Sequence, residues 1–284
     1  MFLEKKIKRI GLFDSGVGGL TVLKELLKLP VHEYIYVADT FHMPYGQKRP
    51  DQILQYSQSI TNFLLNQRID ALVVACHTSS AIALSSLQKK FPDLLIIGTI
   101  HETMLHVVQQ TNNNRIGILA TQASINSHIH KKELLAIDSH LEIFEMACPD
   151  LVPLIEAAEN DTKKLNSALH EYLEPLIEQN VDTIILGCTH YPLLEKEIKE
   201  IVGKDIKLVS SEKVIAQVLQ KNLEMNNKFE NFDITKKFKF YSTGDHEEFQ
   251  NKANIIMGQN IIAQHLALDS YDNISISFEF IQKF

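Results

Sequence analysis

The chain has 284 residues, 45% of them hydrophobic and 22% charged, with a formal net charge of −7 at neutral pH. That is enough chain for two domains or one large one, and the acidic balance argues against a general nucleic-acid binder, which presents a basic face. Three cysteines do not make a disulfide framework, the start MFLEKKIKRIGLF lacks the apolar stretch of a signal peptide, and no apolar run reaches bilayer-crossing length. A reducing cytoplasm is therefore the expected location, with no membrane association.

The first apolar run, KRIGLF (8–13), reads as a strand. It opens into DSGVGG (14–19), whose glycines permit a tight turn and close approach of backbone to a ligand. Leu20, Leu23, Leu26 and Leu27 then recur at helical spacing. The turn has neither the Gly-Lys-Ser/Thr of a P-loop nor a full dinucleotide fingerprint. It is a plain strand-to-helix connection, or a seat for a carboxylate or phosphate on the helix amides. Asp14, at the strand exit, reads as a helix N-cap or as a group that orients or helps deprotonate a neighbour. A second strand, EYIYVA (33–38), leads to MPYGQ (43–47), a loop signature that can hold a ligand through its backbone and the Tyr45 hydroxyl. Ile53, Tyr56, Ile60, Phe63 and Leu64 mark a helix across 52–65. The remaining strand candidates are DALVVA (70–75), LLIIGTI (94–100), RIGILA (115–120), LEIFEMA (141–147), DTIILG (182–187), IKLVS (206–210) and KFKFYS (237–242). Strands alternating with helix-like segments predict parallel sheets. The polar, Asn-rich stretch 221–236 is expected as a surface connection, and ISISFEF (274–280) as a half-exposed strand.

Two stretches share one plan. ALVVACHTSSA (71–81) and TIILGCTHYPL (183–193) each run from an aliphatic strand through a small residue to Cys, then to hydroxylated or imidazole residues. Cys76 and Cys188 thus fall at the carboxyl ends of two strands, where open α/β sheets bind ligands. Two thiols so placed can flank one small substrate from opposite faces. A free thiol has a pKa of roughly 8.5, lowered by a helix N-terminus or an imidazolium, and His77, Thr78, Thr189 and His190 lie next to the pair. Taken singly, a Cys after a buried strand is a small core residue, and Cys148, before Pro149, reads as structural. Cys76/His77 and Cys188/His190 could also supply four zinc ligands, but their spacing is not a zinc pattern and no CxxC occurs, so no metal is expected. IGLFDSGVGG from Ile10 and IGILATQASI from Ile116 each precede one cysteine motif. This is either the strand–turn–helix repetition of any α/β protein or two similar units facing each other.

Together IGLFDSGVGGLTVLKEL (10–26), ADTFHMPYGQK (38–48), VVACHTSSA (73–81), ILATQASINS (118–127), CPDLVPLIE (148–156), LGCTHYPLL (186–194) and STGD (242–245) resemble the glutamate racemases of the cofactor-independent aspartate/glutamate racemase superfamily. The resemblance implies an α/β fold of two pseudo-symmetric doubly wound parallel-sheet domains facing a shared cleft. Residues 1–97 plus 210–284 would carry Cys76, and an inserted 98–209 would carry Cys188. It implies an isomerase with no cofactor, in which one thiolate removes the α-proton and the opposite thiol returns one. Cys76 would act on the D-enantiomer and Cys188 on the L-enantiomer. Asp14, on the Cys76 side, and Glu156 and His190, on the Cys188 side, match auxiliary polar residues. Ser15, Pro44, Tyr45, Gly46, His77, Thr78, Thr121 and Thr189, with Asp14 and His190, match substrate-holding positions. Glutamate is the implied partner, in a homodimer that supplies D-glutamate for peptidoglycan. Three places depart from the family pattern: His77 stands where Asn is usual, His101–Thr103 where Glu-Pro-Gly is usual, and Ser210–Ser211 where Asp-Ser is common. His77 motivates one alternative, a racemase for aspartate or another acidic amino acid, and His77 together with His101–Thr103 motivates another, a non-catalytic protein that binds an amino acid or a protein partner on the same scaffold.

Overall fold

A computed structural model describes residues 7–157, 162–226 and 236–268. The first half runs β1 (Arg9–Asp14), α1 (Leu20–Leu26), β2 (Glu33–Ala38), α2 (Pro50–Asn66), β3 (Ala71–Val74), α3 (His77–Ile82), α4 (Leu84–Lys90) and β4 (Leu95–Gly98). After α5 (His101–Val108) come β5 (Arg115–Ala120), α6 (Gln122–Ser127), α7 (Ile129–Ile137), β6 (Glu142–Ala147), α8 (Leu151–Glu156), α9 (Thr162–Glu178), β7 (Thr183–Gly187), α10 (Glu195–Val202) and β8 (Lys207–Val209). The chain then returns with α11 (Glu212–Asn226), β9 (Lys237–Ser242), α12 (His246–Met257) and β10 (Ala263–His265).

The strands form two sheets, ordered β10-β9-β2-β1-β3-β4 and β6-β5-β7-β8, and every pairing is parallel. Four strands of the first sheet, β2-β1-β3-β4, repeat the order of the second, β6-β5-β7-β8. The faint sequence repeat is therefore a topological one. Parallel sheets are covered by helices on both faces, which is why β2, β3 and β7 are buried at every position. The two-residue pleat sorts their side chains. Ile10, Leu12, Tyr34, Tyr36, Ala71 and Val73 pack with residues of α1, α11 and α12. Phe13, Ile35, Val37, Leu72 and Val74 pack on the other face with residues of α2 and α4. In the second sheet Ile184 and Leu186 meet α9 and α10, and Ile116, Ile118 and Ile185 meet α5 and α7. Each such aliphatic side chain contributes roughly 1.5–3 kcal/mol on burial.

Two expectations need correction. The segment 221–236 is not a connection throughout, because α11 runs to Asn226. Ile215, Leu219 and Leu223 recur at four-residue steps and are buried, and that stripe outweighs the polar composition around it. Asp14 does not cap α1, which begins six residues later at Leu20 with Gly19 as its N-cap. Helix α12 and strand β10 had no reading from the sequence, and ISISFEF (274–280) lies outside the described residues. Among the described residues no helix is long and apolar enough to cross a membrane.

Candidate active site

Strands β1, β3, β5 and β7 are interior strands of their sheets, and the loops at their carboxyl ends meet in one pocket. Cys76 follows β3 and is the N-cap residue of α3. Cys188 follows β7 directly and leads into a short helical turn, Tyr191–Leu194. Both thiols line the pocket, with Ser15, Pro44, Tyr45, Gly46, His77, Thr78, Thr121, Thr189 and His190. No lysine or arginine is among the lining residues.

Asp14 and Glu156 stand behind this lining. Asp14 is fully buried at the end of β1. It accepts from the Gly16 amide at 3.0 Å and from the Thr189 hydroxyl at 3.1 Å, a bond that joins the two sheets. Glu156, at the end of α8, accepts from His190 Nε2 at 2.7 Å, and His190 Nδ1 lies 3.7 Å from Cys188 Sγ. The other carboxylate oxygen of Glu156 takes Lys252 Nζ at 3.1 Å, from α12.

The glycine turn serves this contact rather than a phosphate. A Cβ on Gly16 would come within 2.7 Å of Glu156 Oε1, and one on Gly18 within 2.5 Å of His190 Nδ1 and Thr189 Oγ1. The turn is bare so that the second sheet's polar side chains can lie against it. Gly46 meets Thr121 in the same way, at 2.7 Å. The Thr121 hydroxyl shares a 2.9 Å hydrogen bond with Thr78 across the pocket and accepts from the Ser124 amide as the N-cap of α6. The Tyr45 hydroxyl donates to Asp39.

The two halves differ electrostatically. Burial pushes the Cys76 thiol up to about 12, and the neighbouring Asp14 carboxylate adds to that. Burial also raises Asp14, against His190 and three hydrogen bonds that oppose it. On the other side burial would favour a neutral His190, but its hydrogen bonds to Cys188 and Glu156 and their charges outweigh that and hold the ring protonated. Glu156 goes down to about 2, because His190 and Lys252 outweigh its burial. One wall thus holds a thiol that burial keeps protonated, and the other a sulfur 3.7 Å from a nitrogen of an imidazolium. Such a pair can give a proton on one face of a small molecule and take one on the other.

His77 is buried in the pocket wall. Its Nε2 pairs with Ser211 Oγ at 3.0 Å, its ring stacks on His130 at 5.9 Å, and its Nδ1 has no partner among the described residues. Burial lowers both rings, His130 to about 4, so both are neutral. His101, at the first turn of α5, is exposed and pairs with Glu133, away from the pocket. Among the described residues no group of three or more His, Cys, Asp and Glu is placed to share an ion. Sequence reasoning missed Gln47, Gln122, Pro149 and Val152 in the lining, and Cys148 lines it as well, although its thiol faces the Met146 carbonyl at 3.6 Å. It also missed Lys252, whose only signal is a Glu248–Lys252 spacing that any exposed helix face shows.

The Asp/Glu/Hydantoin racemase family model matches residues 22–219. A glutamate racemase of Lactobacillus helveticus is 35% identical over 257 residues, 90% of this chain and 96% of that protein. The crystal structure of glutamate racemase isoform RacE1 from Bacillus anthracis superposes with a TM-score of 0.86 at 33% identity, covering 92% of this chain and 98% of that one. The glutamate racemase of Francisella tularensis, solved with D-glutamate, gives 0.84 at 30% identity over 94% and 100%. The chain belongs to the Asp/Glu/Hydantoin racemase family. It is an isomerase.

Proposed function

We propose that the protein interconverts L- and D-glutamate without a cofactor, by two-base chemistry between Cys76 and Cys188. The observation that carries this reading is the placement of the two thiols after equivalent strands, β3 and β7, on one pocket. The glutamate racemases to which the chain is similar support glutamate as substrate. With L-glutamate bound, the Cys188 thiolate takes the α-proton and becomes a thiol. The Cys76 thiol gives its proton to the opposite face of the carbanion and becomes the thiolate, and D-glutamate leaves. The reverse reaction starts from that second state; for a second turnover in the same direction Cys188 gives its proton to water and Cys76 takes one from water, which restores the first state. His190, ordered by Glu156, steadies charge at Cys188, and Asp14 acts on the proton of Cys76. Ser15, Gly46, Thr78, Thr121 and Thr189 hold the carboxylates through hydroxyls and backbone amides, aided by the turns that begin after each cysteine, and Pro44 and Tyr45 shape the wall beside them.

The wider reading is a cytoplasmic homodimer that supplies D-glutamate for peptidoglycan, built from a first domain of residues 1–97 plus 210–284 and a second of 98–209. His77 favours one second reading, the same chemistry on aspartate or another acidic amino acid, because an imidazole with an unpartnered Nδ1 occupies the pocket wall. The test is proton NMR in heavy water with no cofactor added. Loss of the α-proton signal of L-glutamate, with decay of optical rotation to zero, is expected. Faster exchange of L-aspartate would move the substrate, and no exchange of either enantiomer of glutamate or of aspartate would leave a binding protein.

A further inference from the structure

Lys252 sits on α12, against the first sheet, yet its Nζ reaches Glu156 at the end of α8 in the other half of the molecule. The two oxygens of Glu156 divide their partners. Oε1 accepts from His190 Nε2 at 2.7 Å and lies 3.4 Å from the Val17 amide, whereas Oε2 takes Lys252 at 3.1 Å. Lys252 is itself steered by Glu248 one turn earlier, at 2.8 Å. Its head is mostly shielded, at 23% exposure, and Glu156 is buried at 7%. A carboxylate with one oxygen on an imidazolium turns about its own axis unless the second oxygen is also held, and a charge-assisted hydrogen bond supplies that hold.

We propose that Lys252 is a positioning residue for the Cys188 half of the site. It fixes the rotation of the Glu156 carboxylate, so that His190 is presented to Cys188 Sγ. The inference rests on the two-cysteine reading for its kinetic consequence and on geometry alone for its chemical one.

Two substitutions separate positioning from mere packing. Lys252→Met keeps the stem and removes the charge, and Lys252→Arg keeps charge and donors. The first readout needs no turnover: labelling of each cysteine by iodoacetamide at pH 7, resolved by mass spectrometry of the peptides. In Lys252→Met the second oxygen of Glu156 loses its partner and His190 its fixed orientation 3.7 Å from Cys188 Sγ, and Cys188 labelling should slow about tenfold. Cys76 labelling should be unchanged. Lys252→Arg should restore the wild-type rate. A purely structural lysine gives the opposite pattern, in which loosening exposes the cysteines and all label faster. The second readout is kinetic. In Lys252→Met, kcat should fall about tenfold with KM within about twofold, as for an interaction used in the chemical step. The α-deuterium isotope effect should rise for the enantiomer that Cys188 deprotonates and fall for the other. Unchanged Cys188 labelling in Lys252→Met, or the same slowing at both cysteines, overturns the proposal. A wild-type protein that fails to racemise glutamate overturns the functional reading and leaves the labelling comparison to decide on Lys252.

Discussion

Asp14 and Glu156 are both buried carboxylates beside the same pocket, and burial alone would raise both. It does so for Asp14, where His190 and the bonds from Gly16 and Thr189 do not offset it. At Glu156 the pair of His190 and Lys252 reverses the sign and holds the group near 2. The two carboxylates are therefore pushed in opposite directions, Asp14 towards the neutral acid and Glu156 towards a fixed charge. Asp14→Asn should lower turnover by about 10²- to 10⁴-fold, the span of a lost acid–base group, while Cys76 labels faster because the negative charge beside it is gone. Equal labelling of Cys76 in the two proteins would contradict that charge effect. Cys76→Ala and Cys188→Ala should each abolish racemisation, and substantial activity in either would end the two-base reading. His130 gives a prediction on stability. Its folded pKa, about 4, lies below the ordinary 6.5, so the unfolded chain binds the proton more readily and stability falls as pH drops from 6.5 towards 4. The loss is on the order of 3 kcal/mol, with His77 adding in the same direction. Both ring nitrogens of His130 lack partners among the described residues. His130→Phe should therefore unfold at a higher temperature than wild type at pH 5, and by a smaller margin at pH 8. A gain equal at both pH values would show that the ring's titration is not the cause.

At the scale of elements, the turn between β1 and α1 decides whether the two halves meet. Gly18→Ala puts a methyl 2.5 Å from His190 Nδ1 and Thr189 Oγ1, and neither side chain is free to yield, since one is held by Glu156 and the other by Asp14. A shift near 1 Å at the base pair should cost about 10²-fold in kcat. Gly258→Ala is the control. Its φ of 68° makes the methyl costly, at about 1–2 kcal/mol, but nothing lies within 4 Å, so melting temperature should fall while kcat stays. Similar kinetic losses in both would place the effect of Gly18 in backbone strain. The sequence made the strands legible because doubly covered parallel strands are continuous aliphatic runs, as in EYIYVA and DTIILG. The same rule located both cysteines. It could not show that DSGVGG is bare for the sake of His190 and Glu156, since those contacts join residues about 140 to 175 positions apart. Nor could it find Lys252, because a lysine on an amphipathic helix looks the same whether it faces water or a buried carboxylate. The end of α11 was lost for the converse reason, its asparagines masking the Ile215–Leu219–Leu223 stripe.

At the scale of the whole molecule, the pocket belongs to neither sheet. Its walls are the strand ends of two separately cored layers, joined side chain to side chain by Thr189 on Asp14, Lys252 on Glu156 and Thr78 on Thr121. A ligand that spans the pocket adds contacts to both layers at once and binds only where both are folded and apposed. Its binding energy must then appear in the unfolding of the whole chain rather than of one half. Cys188→Ala should bind glutamate without consuming it and allows the measurement at equilibrium. At about 100 times its Kd, L-glutamate should add roughly 2.7 kcal/mol to stability, raising the melting temperature by several degrees in one cooperative transition. L-glutamine, which lacks the second carboxylate, should give a much smaller shift, because the amides and hydroxyls of this lysine-free pocket are matched to two anions. The Gly46 loop tests the bridge itself. Its backbone lies against Thr121 of the other layer at a distance that leaves no room for a methyl, so Gly46→Ala should shrink the glutamate-induced shift while leaving the ligand-free melting temperature within about 1–3 kcal/mol of equivalent stability. A full shift in that variant would mean that the ligand is held from one wall only, and the shared-cleft account of binding would have to be abandoned.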